Sequence, residues 1–320
     1  MNSASRSPAL EVSVRRVRYE KNGGPEVLFV EDVPEPRPGR GELLVRCEAI
    51  GVTLPSVRKV REASEPAPFG GEVAGRVVAV GPQVTGFAVG DLVTGLVFAH
   101  AYAELAVLHQ SMASPVPAGA TALDAVALVR SGLVGRGAYE AAHPVRGESV
   151  LVTAAASAVG ALALQYAQAG GASRVVAAVS DPAKADFVRG LGADEVVRYA
   201  DASWGEPVDV VLDAVGGDLL GPAVRALATG GRLVAFSSGG GSVDAFELLV
   251  RSASVIGFQM AAVARNRPET YARWRDEQWA AFRSGALRTS VHATIPLAEA
   301  ARAHELIESR ANRGKVVLVP

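Results

Sequence analysis

Cysteine is nearly absent: Cys47 is the single one in 320 residues. One thiol closes no intramolecular disulfide and builds no cysteine-rich zinc lobe, and it suits a reducing compartment. Within "ELLVRCEAI" it reads as a small buried hydrophobe on a strand. An excess of charge of either sign is also missing, since 32 Lys and Arg stand against 33 Asp and Glu, a formal net charge of -1. No charge-driven partner is expected, and nucleic acid is set aside as a ligand. Long hydrophobic runs are lacking as well. No stretch reaches the roughly eighteen apolar residues of a membrane span, and the N-terminal "MNSASRSPALEVS" has no apolar core of a secretory signal. The expectation is a cytoplasmic protein with no membrane partner. What the chain does have is 49% hydrophobic residues and enough length for two ordinary domains.

From Val12 to about Ala118 short apolar stretches are separated by Gly and Pro, as in "ELLVRCEAIGV", "GEVAGRVVAVG" and "GDLVTGLVF". That texture is β-rich. The segment "EDVPEPRPGRGE", with Pro34, Pro36 and Pro38, is expected to be an extended connector because proline cannot donate to a ladder. Beyond "PVPAGATALDAVALV" apolar runs alternate with alanine-rich helical stretches. Strands are predicted at Val150 to Thr153, Arg174 to Val179, Glu195 to Val197, Val208 to Asp213, Arg232 to Phe236 and Ser254 to Phe258. Strands alternating with helices imply a doubly wound parallel sheet, covered on both faces. The helix "PETYARWRDEQWAAFRSG" comes next, with Trp274 and Trp279 expected to serve packing, and the tail is predicted to return to the first domain through a last strand.

The stretch "VLVTAAASAVG" runs from an apolar strand through a small-residue turn into a helix, as dinucleotide-binding turns do. Its frame is Ala155-x-Ser157-x-x-Gly160, so only the glycine that lets helix pack on strand is kept. A serine costs about 1–2 kcal/mol if its φ must be positive, and nothing otherwise. The hydroxyl of Ser157 is expected to face phosphate, beside Ala158, Val159 and Gly160. Cofactor choice is read farther on. The strand "RVVAAV" ends without the acid that would hold a ribose 2′-hydroxyl. In "SDPAK" Asp181 reads as an N-cap with Pro182 in the first helical position, while Ser180 and Lys184 suit a 2′-phosphate. NADPH is therefore expected rather than NADH.

Over almost its whole length the chain resembles the zinc-independent quinone oxidoreductase branch of the medium-chain dehydrogenase/reductase superfamily. The resemblance rests on "KNGGPEVL" (21–28), "GEVAGRVVAVGPQVTGFAVGDLV" (71–93), "AYAEL" (101–105), "LGADEVV" (191–197), "VDVVLDAVGG" (208–217), "GGRLVAF" (230–236) and "GKVVLVP" (314–320). It implies an α/β fold with a GroES-like β domain over 1–119 and 260–320, and a Rossmann domain, the doubly wound parallel sheet, over 120–259. It also implies catalysis between the domains, a homodimer or homotetramer, and hydride transfer from NADPH to a small electrophilic molecule. By the same resemblance Tyr199 and Lys184 fall at the 2′-phosphate end. Val134, Val215, Ser237 and Phe258 fall near the nicotinamide, and Lys315 is counted among the cofactor residues.

The resemblance also implies where this chain departs. Zinc-using relatives carry a Cys and a His where Thr53 and Gly71 stand, so a tetrahedral site cannot be assembled there. His100, His109, His143, His292 and His304 show no ligand spacing and are expected at the surface or in caps. Where the family commonly reads "GVNxxD" this chain reads "GVTLPS", with Thr53 and Ser56 as candidate catalytic hydroxyls. Val134 replaces a threonine, and Ala49 stands where related enoyl reductases carry a proton-donating tyrosine. Tyr102 is expected to line the pocket as a further candidate donor. These residues leave three readings: a reductase of a quinone or activated alkene, including one in polyketide-type metabolism; an NADP(H)-binding enzyme of cyclisation or isomerisation; and a non-catalytic binding protein.

Overall fold

The computed structural model describes residues 13–236 and 239–320. In chain order the elements are β1 (Ser13–Arg18), β2 (Phe29–Pro34), β3 (Glu42–Val52), α1 (Leu54–Glu62), β4 (Gly71–Val80), β5 (Leu92–Val97), β6 (Leu105–His109), β7 (Ala113–Pro115), α2 (Ala122–Ala141) and β8 (Ser149–Val152). They continue with α3 (Ala158–Ala169), β9 (Arg174–Val179), α4 (Ala185–Arg189), β10 (Glu195–Arg198), β11 (Val208–Asp213), α5 (Leu220–Arg225), β12 (Leu227–Ala235) and α6 (Ala245–Arg251). The last are β13 (Ser254–Gly257), α7 (Met260–Asn266), α8 (Pro268–Arg283), β14 (Val291–Pro296), α9 (Ala300–Glu308) and β15 (Lys315–Val319). Two compact units result. The described residues through Val126, with Thr294–Ser309 and Val316–Pro320, form the first; Ala127–Ala293 and Arg310–Lys315 form the second.

The first unit is built on a seven-stranded sheet in the order β14-β15-β3-β4-β5-β7, with β6 also on β3. The predicted return of the tail is found: β15 runs antiparallel to β3, with Val317 opposite Gly51. The proline-bearing segment differs from expectation. Glu31 to Pro34 belong to β2, which pairs antiparallel with β1 in a two-stranded sheet, and only residues 35–41 form the connector to β3. Pro34 is the last residue of a strand that ladders on one side, where a missing N–H costs little.

In the second unit six parallel strands lie in the order β10-β9-β8-β11-β12-β13. The reason is visible in the side chains. Val150 and Val152 point into a core with Leu164 and Ala167 of α3, while Leu151, between them, points into a second core with Leu220 and Val224 of α5. Each strand is thus apolar on both faces, as a sheet between two helical layers requires. The strand order reverses between β8 and β11, and in open α/β sheets such a reversal leaves a ligand crevice at the carboxyl ends of the strands. Residues 260–293, assigned by the sequence reading to the first domain, lie in this second unit. The cause is α8. It buries Trp274 and Trp279, and its Gln278 donates to the carbonyl of Val129 on α2 at 3.1 Å. Gly132 makes room, because a Cβ there would come within 2.4 Å of the Gln278 amide oxygen.

Candidate functional site

The turn after β8 solves its shortage of glycine in an unexpected place. The left-handed residue is Ala154, at φ +47°. Ser157 has an extended backbone at φ -73° and ψ 169°, so the serine carries no strain. Its hydroxyl caps α3 by accepting the N–H of Gly160 at 3.0 Å, and it keeps its own proton to donate. Gly160 is fixed by contact: a Cβ there would lie 2.2 Å from the carbonyl oxygen of Ala154. Ala158 and Val159, both half-buried, open the helix. First-turn N–H groups have no partner within a helix and attract anions, so the cap, the turn and α3 fit a phosphate.

Two polar residues that the sequence reading passed over hold the crevice in shape. Asp213, fully buried at the end of β11, accepts the hydroxyl of Thr153 at 2.8 Å, the N–H of Val215 at 3.2 Å and that of Gly216 at 2.9 Å. Thr153 in turn accepts the N–H of Ala214 at 2.9 Å. The ends of β8 and β11 are therefore tied together at the reversal of strand order. This clasp sets the backbone that carries Val215. Phe258 packs over Gly137, where a Cβ would come 2.2 Å from the ring, and Val134 is one helical turn away on α2. Ser237, the remaining nicotinamide candidate, lies outside the described residues.

At the far end of the crevice positive charge accumulates. Asp181 caps the short 3-10 helix Pro182–Lys184 by accepting the N–H of Ala183 at 2.8 Å, with proline in the first turn as its sequence predicts. The Lys184 ammonium lies 3.4 Å from the hydroxyl of Ser180 and donates to the carbonyl of Arg310. Burial pushes the Lys184 pKa down, against the pull of Asp181, and Arg313 and Arg310 push it further down. His292 is likewise lowered, first by burial and then by Arg313 and Lys184. Like charges held together in this way call for an anion. Tyr199 joins the cluster to the turn: its hydroxyl accepts the N–H of Ala154 at 2.7 Å, and burial raises its pKa. Lys315 is buried, with its backbone N–H on the carbonyl of Ser290 at 2.8 Å. The basic residues of this tail that Lys184 senses are Arg310 and Arg313, which sequence reasoning did not single out.

The first unit carries the candidate hydroxyls. Thr53 is the N-cap of α1, and its side chain accepts the N–H of Ser56 at 3.4 Å while the two hydroxyl oxygens lie 3.0 Å apart. Ser56 is buried and reaches the carbonyl of Gly70 at 3.3 Å. Tyr102 does not line an open wall as expected. It is fully buried, hydrogen-bonded to Ser56, packed edge-on against Phe69 at 4.5 Å, and its hydroxyl is 3.2 Å from Nε2 of His304. Burial raises the Tyr102 pKa, the Ser56 bond opposes this, and Glu72 adds to the rise, so the phenol stays protonated. His304 departs most from expectation. It is 1% exposed, neither a surface nor a capping residue, and burial pushes its pKa down to about 4. His109 does cap, accepting the N–H of Ser111 at 3.3 Å. Ala49 is buried within β3 and offers no donor.

Comparison with known proteins adds a lineage to this geometry. The alcohol dehydrogenase GroES-like domain model matches residues 39–139, and the zinc-binding dehydrogenase model matches residues 191–318. A quinone oxidoreductase of Pseudomonas aeruginosa is 34% identical over 327 residues, covering 96% of this chain and 99% of its own length. A 2-haloacrylate reductase of a Burkholderia species is 30% identical, with 94% and 97% covered. A mycobacterial protein solved with NADPH superposes with a TM-score of 0.88 at 33% identity, over 96% of this chain and 100% of that one. Escherichia coli quinone oxidoreductase, also solved with NADPH, gives 0.88 at 29% identity with the same coverage, 96% and 100%. The zinc in one model's description finds no donor set here. Thr53 and Gly71 offer no thiolate or imidazole, and among the described residues no group of three or more His, Cys, Asp or Glu could hold a metal ion. Both units, their order in the chain and the missing ligands agree: the protein belongs to the zinc-independent, quinone-oxidoreductase-like branch of the medium-chain dehydrogenase/reductase superfamily.

Proposed function

We propose that this chain is an NADPH-dependent reductase that passes hydride to a quinone or to the β-carbon of an electron-poor alkene. The observation that carries the reading is the cationic cluster of Lys184, Arg310 and Arg313, joined through Tyr199 to the turn that precedes α3. A 2′-phosphate is the anion that distinguishes NADPH from NADH, and the cluster suits it. In this reading the N-terminus of α3, with Ser157 to Gly160, takes the pyrophosphate. Val134, Val215, Ser237 and Phe258 flank the nicotinamide. Bound there, NADPH supplies the hydride. The protein supplies position and electrostatics, and Thr53, on the cap of α1, presents a hydroxyl to the substrate oxygen that gains negative charge.

Fluorescence titration of the purified protein tests the cofactor: tighter binding of NADPH than of NADH is expected, and failure to bind either ends the reading. Loss of NADPH absorbance with a panel of quinones and enones tests turnover. Binding without oxidation across that panel would favour cyclisation, isomerisation or a binding role instead. A cytoplasmic location accompanies the reading and suits the lone buried Cys47.

The reading includes a homodimer, or a homotetramer built from it. The sheet of the second unit ends on β13, whose Val255 is exposed, and α6 exposes Phe246, Leu249 and Val250. An edge with no partner strand among the described residues, and with apolar neighbours, invites a second copy. Light scattering on a sizing column is expected to give a dimer or tetramer, and Val255→Lys is expected to shift it towards monomer.

A further inference from the structure

Asp213 ties together more segments than a strand end needs. Its side chain accepts the Thr153 hydroxyl at 2.8 Å and the N–H groups of Val215 and Gly216 at 3.2 and 2.9 Å. Its backbone carbonyl accepts the N–H of Phe236, just past β12, at 3.1 Å. One residue thus fixes the carboxyl ends of β8, β11 and β12 at once. The loop after β11 has reason to be held, since Gly216 and Gly217 are both left-handed, at φ +73° and +60°, and glycine gives up more freedom on ordering than any other residue. Every N–H from Ala214 to Gly217 has an internal partner. The Thr153 hydroxyl takes that of Ala214 at 2.9 Å, and the carbonyl of Gly240 takes that of Gly217 at 2.9 Å.

Strand order decides which half of a dinucleotide meets this loop. In the order β10-β9-β8-β11-β12-β13, the strands β9 and β11 flank β8 on opposite sides. The turn that fits a phosphate follows β8, whereas Ser180 and Lys184 follow β9. An adenosine whose 2′-phosphate sits at Lys184 therefore lies on the β9 side. The other half, past the pyrophosphate, extends over the ends of β11 and β12. Asp213 stands there fully buried, where a polar group costs free energy unless donors meet it.

We propose that Asp213, together with Thr153, is a positioning residue for the nicotinamide. The pair sets the loop 214–217 on which that half of the cofactor rests, and leaves the adenosine half to the turn before α3 and to the cations. The proposal rests on the cofactor assignment in the reductase reading. Its chemistry is that of acceptors: carboxylate oxygens only accept, whereas an amide in the same place carries an NH2 group. In Asp213→Asn that NH2 faces the N–H of Val215 or of Gly216, whichever way the amide is turned. The loop then has to move.

Calorimetric titration of the full chain with two ligands tests the proposal: NADPH, and 2′-monophosphoadenosine 5′-diphosphoribose, which has the same skeleton without nicotinamide. Asp213→Asn and Thr153→Val are each expected to weaken NADPH about tenfold, because a buried donor loses its partner, and to leave the nicotinamide-free ligand within about twofold of the parent. Thr153→Ser, which keeps the hydroxyl, is expected to bind both as the parent does. A merely structural clasp would weaken the two ligands alike. That result overturns the proposal, as does NADPH affinity within about twofold of the parent in folded Thr153→Val. Hydrogen exchange in the parent needs no variant: NADPH is expected to protect the 214–217 amides more than the nicotinamide-free ligand does, and equal protection overturns the proposal. A parent that binds NADPH but reduces no acceptor sinks the reductase reading and leaves these binding measurements to decide. A parent that does not bind NADPH overturns both.

Discussion

In the proposed reading, Lys184 is the residue on which the choice of nucleotide turns. Its ammonium is drawn inside by Ser180 and the carbonyl of Arg310, yet burial and two arginines disfavour its charge, so an incoming dianion removes the conflict. Lys184→Ala is expected to weaken NADPH binding about tenfold, or about 1.4 kcal/mol, and to leave NADH binding unchanged. Titrations of both nucleotides check this, and the gap between parent and variant should narrow as salt is added. Equal affinity in both proteins would remove Lys184 from the phosphate site. The capped turn that carries Lys184 was legible because "SDPAK" is a local pattern of cap, proline and cation, and the cap and the proline are found there. Arg310 was not, since it stands 126 residues farther along the chain from Lys184 and no local signal joins them. Asp213 and Thr153 escaped for a related reason: each looks like a strand end, and only pairing of β8 with β11 brings them together.

At the scale of the element, the turn from β8 into α3 shows two neighbours with opposite requirements. Ala154 holds φ at +47°, which costs an L-residue about 1–2 kcal/mol and glycine little. Ala154→Gly is therefore expected to stabilise the protein by up to about 1 kcal/mol in urea titration. Gly160 faces the Ala154 carbonyl so closely that a Cβ would sit 2.2 Å from its oxygen. Gly160→Ala is expected to destabilise by about 1–3 kcal/mol and to weaken NADPH binding, because helix and turn must separate. A stable Gly160→Ala protein with full affinity would contradict this account of the turn. The sequence pattern located the turn and its packing glycine, but it placed the φ question on Ser157. Side-chain type announces a positive φ only when the residue is glycine, and here it is alanine. Strand bounds were far more legible. Arg174–Val179 and Val208–Asp213 are found as predicted, because burial on both faces makes an unbroken apolar run.

For the whole molecule, alternation of apolar strands with helices was enough to foresee the parallel sheet, but not the side to which 260–293 would go. That depends on Gln278 meeting Gly132, a contact between distant segments. His304 is the same kind of case, an ordinary helical residue until Tyr102 and Phe69 bury it. Its burial has a global consequence. The ordinary histidine pKa of 6.5 is lowered to about 4 in the folded chain, chiefly by loss of water, with Glu308 opposing. Below pH 6.5 the unfolded chain therefore binds a proton that the folded chain refuses until about pH 4. Stability from this residue is complete above the unfolded pKa and drains away as pH falls through that window, by roughly 3 kcal/mol in all. Carboxylates held low by their partners, Glu148 by Arg232 and Glu308 by Arg61, begin to contribute a further loss only below their ordinary value of 4.5. His100 and His292 are also lowered, but both are exposed and add less. Urea unfolding between pH 7 and pH 5 should thus show a falling stability in the parent chain and a markedly flatter line in His304→Gln, whose side chain does not titrate. Parallel lines would mean that the buried imidazole does not set the acid sensitivity of this fold.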